Sequence, residues 1–140
     1  MDASQALADL VEISAQIESA VLARADGTVL ASTLADEARA GAVAGEALAL
    51  LEAARGPAGD PTQVEAALPD GSFFVVRDGE RLVAAVTGRD PTVGLVFYDL
   101  KTCLRLAAEE PEKPKKAAAG ARRRKKKDDE EPETAEAADA

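Results

Sequence analysis

The spacing of apolar residues changes along the chain and separates predicted helices from predicted strands. Leu7, Leu10 and Val11 recur at helical spacing after Ser4, which can cap a short first helix. Residues 34–55 are the longest stretch without proline or a turn dipeptide, and Ala, Leu and Glu dominate them. Because these residue types favour helix at nearly every position, the pattern predicts a long helix there.

A third helix is predicted near the end of the patterned region. Asp90 and Pro91 supply a cap and a proline suited to the first helical position. The apolar residues that follow share one helical stripe, and Cys103 lies within it, which favours a buried and unreactive thiol. The stripe consists of Val93, Val96, Phe97, Leu100, Cys103, Leu104 and Ala107.

Five shorter segments have strand patterns, and they cover residues 21–24, 28–32, 63–68, 73–76 and 82–86. Asp26 and Gly27, between the first two segments, are typical of a hairpin with a type I′ turn. The third segment alternates, as an edge strand with one buried face does. The last two are continuously apolar, which indicates strands covered on both faces.

These elements predict one α+β domain over residues 1–108, in the order α-β-β-α-β-β-β-α. We expect a five-stranded antiparallel sheet with helices on both faces. Residues 109–140 have a different composition, because their only apolar residues are alanines. Such a segment cannot bury a core, so we expect a disordered C-terminal tail.

The long helix has two faces when it is projected at about 100° per residue. Its bulkier face is expected on the sheet and comprises Val43, Ala47, Leu48, Leu50 and Leu51. The opposite stripe is small and comprises Ala38, Gly41, Ala42, Gly45 and Ala49, flanked by Arg39, Glu46 and Glu52. A glycine within a helix costs ~1 kcal/mol relative to alanine, which indicates that a second helix packs closely on this stripe. The alternative is that an alanine-rich composition scatters small residues by chance.

Composition and charge exclude several function classes. The sequence has no histidine and one cysteine, which removes Ser-His and Cys-His nucleophile pairs, intrachain disulfides and thiolate or imidazole metal sites. No phosphate-binding loop is present, so we expect no metal, no cofactor and no enzyme activity. No signal peptide or membrane-spanning run is visible, which favours a cytoplasmic protein.

The charges are not spread evenly. Residues 1–108 carry a net charge of −8, from eight basic and sixteen acidic residues, and such a domain is a poor ligand for nucleic acid. The predicted tail contains a basic block followed at once by acidic residues. This block is a candidate site for phosphate groups or an anionic membrane, or it only makes the chain more soluble; it comprises Arg122, Arg123, Arg124, Lys125, Lys126 and Lys127.

The order of these elements resembles that of the Roadblock / dynein light-chain family, within the longin-like superfamily. The resemblance covers residues 4–108, and four blocks carry it: AVLARADGTVLAS, AGAVAGEALALL, DGSFFVVRDGERLVAAVTG and DPTVGLVFYDLKTCLRLA. None of these blocks is a catalytic signature, and the specificity comes from their order. The related longin and profilin-like folds are the alternatives.

The resemblance implies a homodimer in which the long helices of two subunits pack together and two edge strands join the sheets. The implied contacts are Ala38, Gly41, Ala42, Gly45 and Ala49 on the helix and Val64, Ala66 and Leu68 on the strand. It further implies a non-enzymatic regulator or scaffold for a separately encoded small Ras-like GTPase. Arg39, Glu46 and Glu52 would border the partner-binding surface. The alternative function is an interaction protein that its basic block tethers to nucleic acid or membrane.

Overall fold

The computed structural model describes residues 1–108, and the predicted tail at 109–140 lies outside the described residues. Three helices and five strands follow one another in the predicted order. The helices are α1 (Ala3–Ile13), α2 (Glu37–Ala53) and α3 (Val93–Ala108). The strands are β1 (Ile17–Arg24), β2 (Val29–Ser32), β3 (Gln63–Leu68), β4 (Gly71–Asp78) and β5 (Arg81–Thr87).

The strands form one antiparallel sheet in the order β2-β1-β5-β4-β3. β3 therefore lies at an edge, as its alternating pattern predicted. β5 pairs with β4 along its whole length, from Thr87 opposite Ser72 to Arg81 opposite Asp78. Gly71 begins β4 so close to β5 that a Cβ there would collide with the carbonyl oxygen of Thr87. Only glycine fits at this position.

Helices cover the sheet on both faces, which confirms the predicted layers. α1 and α3 pack on one face, and α2 packs on the other. Successive residues of β4 alternate between the two cores, so Phe74 faces α1 and α3 whereas Val75 faces α2. The Phe74 and Phe97 rings meet edge to face with centroids 5.0 Å apart. This geometry suits the charge distribution of aromatic rings and fixes α3 against β4.

Two helix starts differ from the sequence prediction. Asp2, not Ser4, caps α1, because its carboxylate accepts a hydrogen bond from the backbone N–H of Gln5 at 2.8 Å. α3 begins at Val93 rather than at Pro91, since Asp90 has a positive φ of 55° and the chain is not yet helical there. Val93, assigned to the buried stripe, is 39% exposed at this first turn, whereas the other stripe residues contribute to the core.

The first hairpin also differs in detail from its prediction. β1 begins at Ile17, earlier than residue 21, and the turn is not type I′. A type I′ turn needs positive φ at both central residues, but only Gly27 has it, at 96°. Arg24 and Thr28 close the turn through a backbone hydrogen bond of 2.8 Å, which leaves a three-residue loop. The Asp26 carboxylate accepts from the Thr28 N–H, and this hydrogen bond lowers the pKa of Asp26.

Candidate interaction surface

The small-residue stripe of α2 points away from the protomer. Ala38, Gly41, Ala42, Gly45 and Ala49 are all exposed, so no element among residues 1–108 covers them. A Cβ added at Gly41 or Gly45 would meet no atom within 4 Å. Packing among residues 1–108 therefore does not require glycine at either position, and the unfavourable helix propensity of both residues has no explanation within that part of the chain.

The face of α2 that lies on the sheet is smaller than predicted. Its fully buried residues are Ala40, Ala44, Ala47 and Leu51. Val43, Leu48 and Leu50, which were expected to bury against the sheet, lie on the flanks and are half-buried. Alanines at the centre let the helix approach the strands closely, and the larger side chains then fill the two sides. Ala40 and Ala44 were missed because both faces of this helix are rich in alanine.

An apolar groove of about 530 Å³ runs between α2 and the β3 edge of the sheet. It brings together Ala42 and Ala49 of the helix stripe with Ala66 and Leu68 of the strand. These four residues belong to the predicted dimer interface, so its helix part and its strand part adjoin in space. The other lining residues are Val43, Glu46, Leu50, Phe73 and Val86, and sequence analysis did not assign the four apolar ones to this surface.

Leu68 is the large apolar residue of this groove that is exposed, at 51%. Val64 and Ala66 share its face of β3 and are half-buried beneath α2. Exposure therefore increases along the strand, and the groove opens towards the Leu68 end. A second apolar body could cover this opening without displacing any side chain that the protomer core uses.

β3 also presents an open backbone edge. The N–H of Arg77 donates to the carbonyl of Thr62 at 2.8 Å, which makes these two residues a hydrogen-bonded pair. Because such pairs alternate along an antiparallel ladder, the backbone groups of Val64, Ala66 and Leu68 point to β4. The outward backbone groups belong to Gln63, Glu65 and Ala67, and within residues 1–108 no strand pairs with them.

The three predicted rim residues lie on two different flanks of α2. Arg39 and Glu46 share the flank of the apolar groove, seven residues apart on the helix. Glu52 lies on the other flank, where its carboxylate is 3.5 Å from Arg55, which in turn contacts Asp60 at 2.7 Å. All three side chains are exposed. The Arg122–Lys127 block lies outside the described residues.

Cys103 is buried, and its burial raises the pKa of the thiol to about 12. The thiol is therefore protonated near neutral pH and cannot act as a nucleophile. Residues 1–108 contain no group of three or more His, Cys, Asp or Glu side chains that could hold a metal ion. Across the same residues, no helix is long and apolar enough to cross a membrane.

Comparison of the sequence with protein-family models gives no match, and neither does comparison with curated proteins. Comparison of the structure with solved structures gives several matches. A Roadblock/LC7 domain from Streptomyces avermitilis superposes with a TM-score of 0.70 at 24% identity, over 78% of this chain and 97% of that one. MglB from Myxococcus xanthus gives a TM-score of 0.61 at 14% identity, over 76% of this chain and 93% of that one.

Profilin, one of the alternatives left open by the sequence, is a more distant match. Profilin IA from Acanthamoeba castellanii gives a TM-score of 0.53 at 10% identity, over 76% of this chain and 97% of that one. The Roadblock/LC7 domain matches better by both measures. The element order, the edge position of β3 and these structural matches agree with one another: the chain has the Roadblock/LC7 fold.

Proposed function

We propose that this chain is a homodimeric, non-enzymatic regulator or scaffold for a small Ras-like GTPase. The main support for a dimer is the groove between α2 and β3, where the small-residue stripe of the helix adjoins an open sheet edge. In the proposed dimer the two α2 helices pack through Ala38, Gly41, Ala42, Gly45 and Ala49. This packing would account for glycine at positions 41 and 45, because a residue without a side chain lets another backbone approach closely.

The strand part of the proposed interface follows from the backbone geometry. Gln63, Glu65 and Ala67 would exchange hydrogen bonds with the same strand of the second copy. Val64, Ala66 and Leu68 would then continue an apolar layer beneath both long helices. An isologous contact of this kind places the same patch on both subunits, and the two five-stranded sheets become one.

The GTPase part of the proposal rests on the fold and on the sequence resemblance. The Roadblock resemblance implies a platform for a Ras-like GTPase, and MglB is among the structural neighbours. A dimer built on α2 would present Arg39 and Glu46 twice, on either side of its two-fold axis. Exposed charges at the border of an interface set the rate of encounter and the choice of partner more than the affinity. The residues of this chain would position the GTPase and would not enter its reaction.

The test uses the Ras-like GTPases encoded next to this gene, each loaded with GDP or with a non-hydrolysable GTP analogue. Calorimetry should detect binding in at least one nucleotide state. Reversal of both rim charges, Arg39→Glu with Glu46→Arg, should weaken binding about tenfold or more, while light scattering shows an unchanged mass. The matched control reverses Glu80 and Arg89, which are exposed and lie outside α2 and β3. If no neighbouring GTPase binds in either state, the regulatory function is wrong.

Hydrolysis rates measured with the same proteins separate the two roles. Faster GTP hydrolysis in the presence of this chain indicates an activating regulator, and an unchanged rate indicates a scaffold. The alternative of tethering through Arg122–Lys127 is favoured by no observation on residues 1–108, whose net charge is −8. It would gain support only if the chain bound nucleic acid or anionic vesicles with a strong dependence on salt.

A further inference from the structure

Three large apolar side chains are exposed where α1 and α3 lie side by side, on the opposite side of the sheet from α2. Ile13 of α1 is 74% exposed, and Leu95 and Tyr98 of α3 are 50% and 65% exposed. Leu95 and Tyr98 are three residues apart on one helix and are therefore neighbours on its surface. Single exposed apolar residues need no explanation, but a cluster of them marks a contact surface.

Two contacts fix how α1 and α3 lie beside each other. The Cys103 thiol is 3.6 Å from the Ala6 carbonyl oxygen, and the Thr92 N–H donates to the Gln16 side chain at 2.6 Å. The helices are therefore antiparallel. With a rise of about 1.5 Å per residue, both contacts give the same register to within one residue. In that register the exposed apolar residues at the end of α1 and at the start of α3 lie at the same height.

Two carboxylates lie one helical turn from this apolar cluster, along the line where the two helices meet (the α1/α3 seam). Asp9 is four residues before Ile13, and Asp99 is four residues after Leu95, so each is about 6 Å along its helix from the apolar residue. Asp99 also precedes Cys103 by four residues, which places it on the side of α3 that faces α1. Burial and, second to it, the charge of Asp9 raise the pKa of the Cys103 thiol, so Asp9 faces α3.

The negative charge at the seam is not neutralised within the described part of the chain. The side-chain amide of Gln5 donates to Asp9 at 2.9 Å, but within residues 1–108 neither Asp9 nor Asp99 forms an ion pair. The two cations of α3, Lys101 and Arg105, lie on its other side and line a separate groove towards β4. The seam therefore combines an exposed apolar cluster with two carboxylates that lack a cation.

We propose that the α1/α3 seam binds a basic amphipathic helix of a separate protein. The shape favours a helix, because a third helix fits against the line between two helices that lie side by side. Apolar residues three or four positions apart on the bound helix cover Ile13, Leu95 and Tyr98. A lysine or arginine one turn further along reaches Asp9 and Asp99, since one turn advances about 5.4 Å.

The chemistry of the seam selects this occupant over others. An acidic helix would place like charges beside both carboxylates. The chain's own basic block at 122–127 has a suitable charge, but residues 109–140 have alanines as their only apolar residues and so cannot cover the apolar cluster. A helix with both large apolar and basic residues matches both parts of the seam. The contact area is at the lower end of specific interfaces, and we therefore expect micromolar affinity.

Tyr98 provides a local signal for the test. It is the only tyrosine of the chain, which has no tryptophan, so intrinsic fluorescence reports on the seam. The probe is a synthetic helix of about 14 residues, with leucine and lysine on successive turns and no aromatic residue. Added to the full chain, it should change the emission of Tyr98 and shield the ring from acrylamide in a saturable titration. A second peptide with the same leucines, and glutamate in place of each lysine, should bind about tenfold more weakly or worse.

The apolar part of the seam is tested by Ile13→Ser. This change should weaken binding of the basic peptide about tenfold, because it removes apolar surface that the peptide buries. Ile13 is already exposed, so the thermal midpoint should remain within a few degrees of the wild type. Leu68→Ser is the matched control, since Leu68 is also exposed but belongs to the groove beside α2. It should leave the affinity for the peptide unchanged.

The charged part is tested by Asp9→Asn combined with Asp99→Asn. This double variant should lose most of the salt dependence of peptide binding, because salt screens the attraction between these carboxylates and the lysines. Glu65→Gln combined with Glu80→Gln removes the same charge outside α1 and α3 and should keep the salt dependence.

Three results would overturn the proposal. The basic and acidic peptides could bind equally well, or the Ile13→Ser variant could bind the basic peptide as tightly as the wild type does. The third result concerns the chain's own basic block, tested by replacing all six residues at 122–127 with glutamine. If this variant bound the peptide more than about tenfold more tightly, the block itself would occupy the seam and a separate partner would be wrong. An unchanged affinity supports the separate partner.

Discussion

The sulfur of Cys103 on α3 lies 3.6 Å from the carbonyl oxygen of Ala6 on α1, and this contact joins the two helices above the sheet. The thiol is the donor and remains protonated, because burial raises its pKa from an ordinary 9.0 to about 12. The contact thus depends on a proton that the folded chain holds more tightly than the unfolded chain does.

Stability should therefore fall at alkaline pH. The raised pKa stabilises the folded state fully below pH 9, and this contribution is lost as the pH rises towards 12. Between pH 8 and pH 10 we expect a loss of about 1.4 kcal/mol in the free energy of unfolding, measured with urea. Cys103→Ala should remove this part of the pH dependence. An unchanged pH dependence in that variant would show that other groups cause it.

A bulky residue at Gly45 should break the proposed helix contact without unfolding the protomer. Gly45 is exposed, and an added side chain meets open space within residues 1–108. Gly45→Leu should therefore raise the thermal midpoint of the isolated protomer slightly, since leucine favours helix by about 1 kcal/mol over glycine. Light scattering should show the mass of the assembly halved. Gly56→Leu, just beyond α2 and also facing open space, is the control and should leave the mass unchanged.

The outward edge of β3 can be blocked at a single N–H group. Ala67→Pro removes a donor that β4 does not use, so the protomer should fold with a thermal midpoint within a few degrees of the wild type. The proposed strand pairing should weaken, and the midpoint of dissociation should move to higher concentration. Ala67→Ser keeps the N–H and serves as the control. If the midpoints of dissociation of the two variants were equal, β3 would not pair with a second copy.

Truncation after Ala108 tests the predicted domain boundary. All the elements of the described fold lie within residues 1–108, so we expect the shortened chain to keep its thermal midpoint within a few degrees. For a domain of this size about 1 kcal/mol corresponds to ~4–8 °C. A decrease of more than ~10 °C, measured by circular dichroism at matched concentration, would show that residues 109–140 contribute to the stability of the fold.

Much of this fold was predictable because its strands and turns carry strong local signals. The alternation of Val64, Ala66 and Leu68 predicted an edge strand, and β3 is one. The continuous apolar runs around Phe74 and Val83 predicted strands covered on both faces, and both residues are fully buried. In each case the side-chain pattern reports directly on how many faces of a strand are buried.

The errors occurred where local rules allow more than one answer. Ser4 and Asp2 are both good cap residues, and only the position of the first helical turn decides between them. For α2, the projection at about 100° per residue predicted that leucines lie against the sheet. The helix packs so close to the strands that alanines such as Ala44 occupy the centre of this contact instead. The groove could not be predicted either, because Phe73 and Val86 reach it from strands that are distant in sequence.

The two edges of the sheet are unequal, and this inequality limits how the chain can polymerise. β3 offers six residues along an open edge, whereas β2 at the other side has four and pairs with β1 through an irregular register. A short, irregular strand is a poor template for adding another chain. If β3 of one copy paired with β3 of another, the long edge of each sheet would be covered. The two β2 edges would then be the outer edges of the joined sheet. Further growth of the sheet beyond two chains would then be disfavoured, because the only open edges would be the short, irregular β2 strands of the described residues.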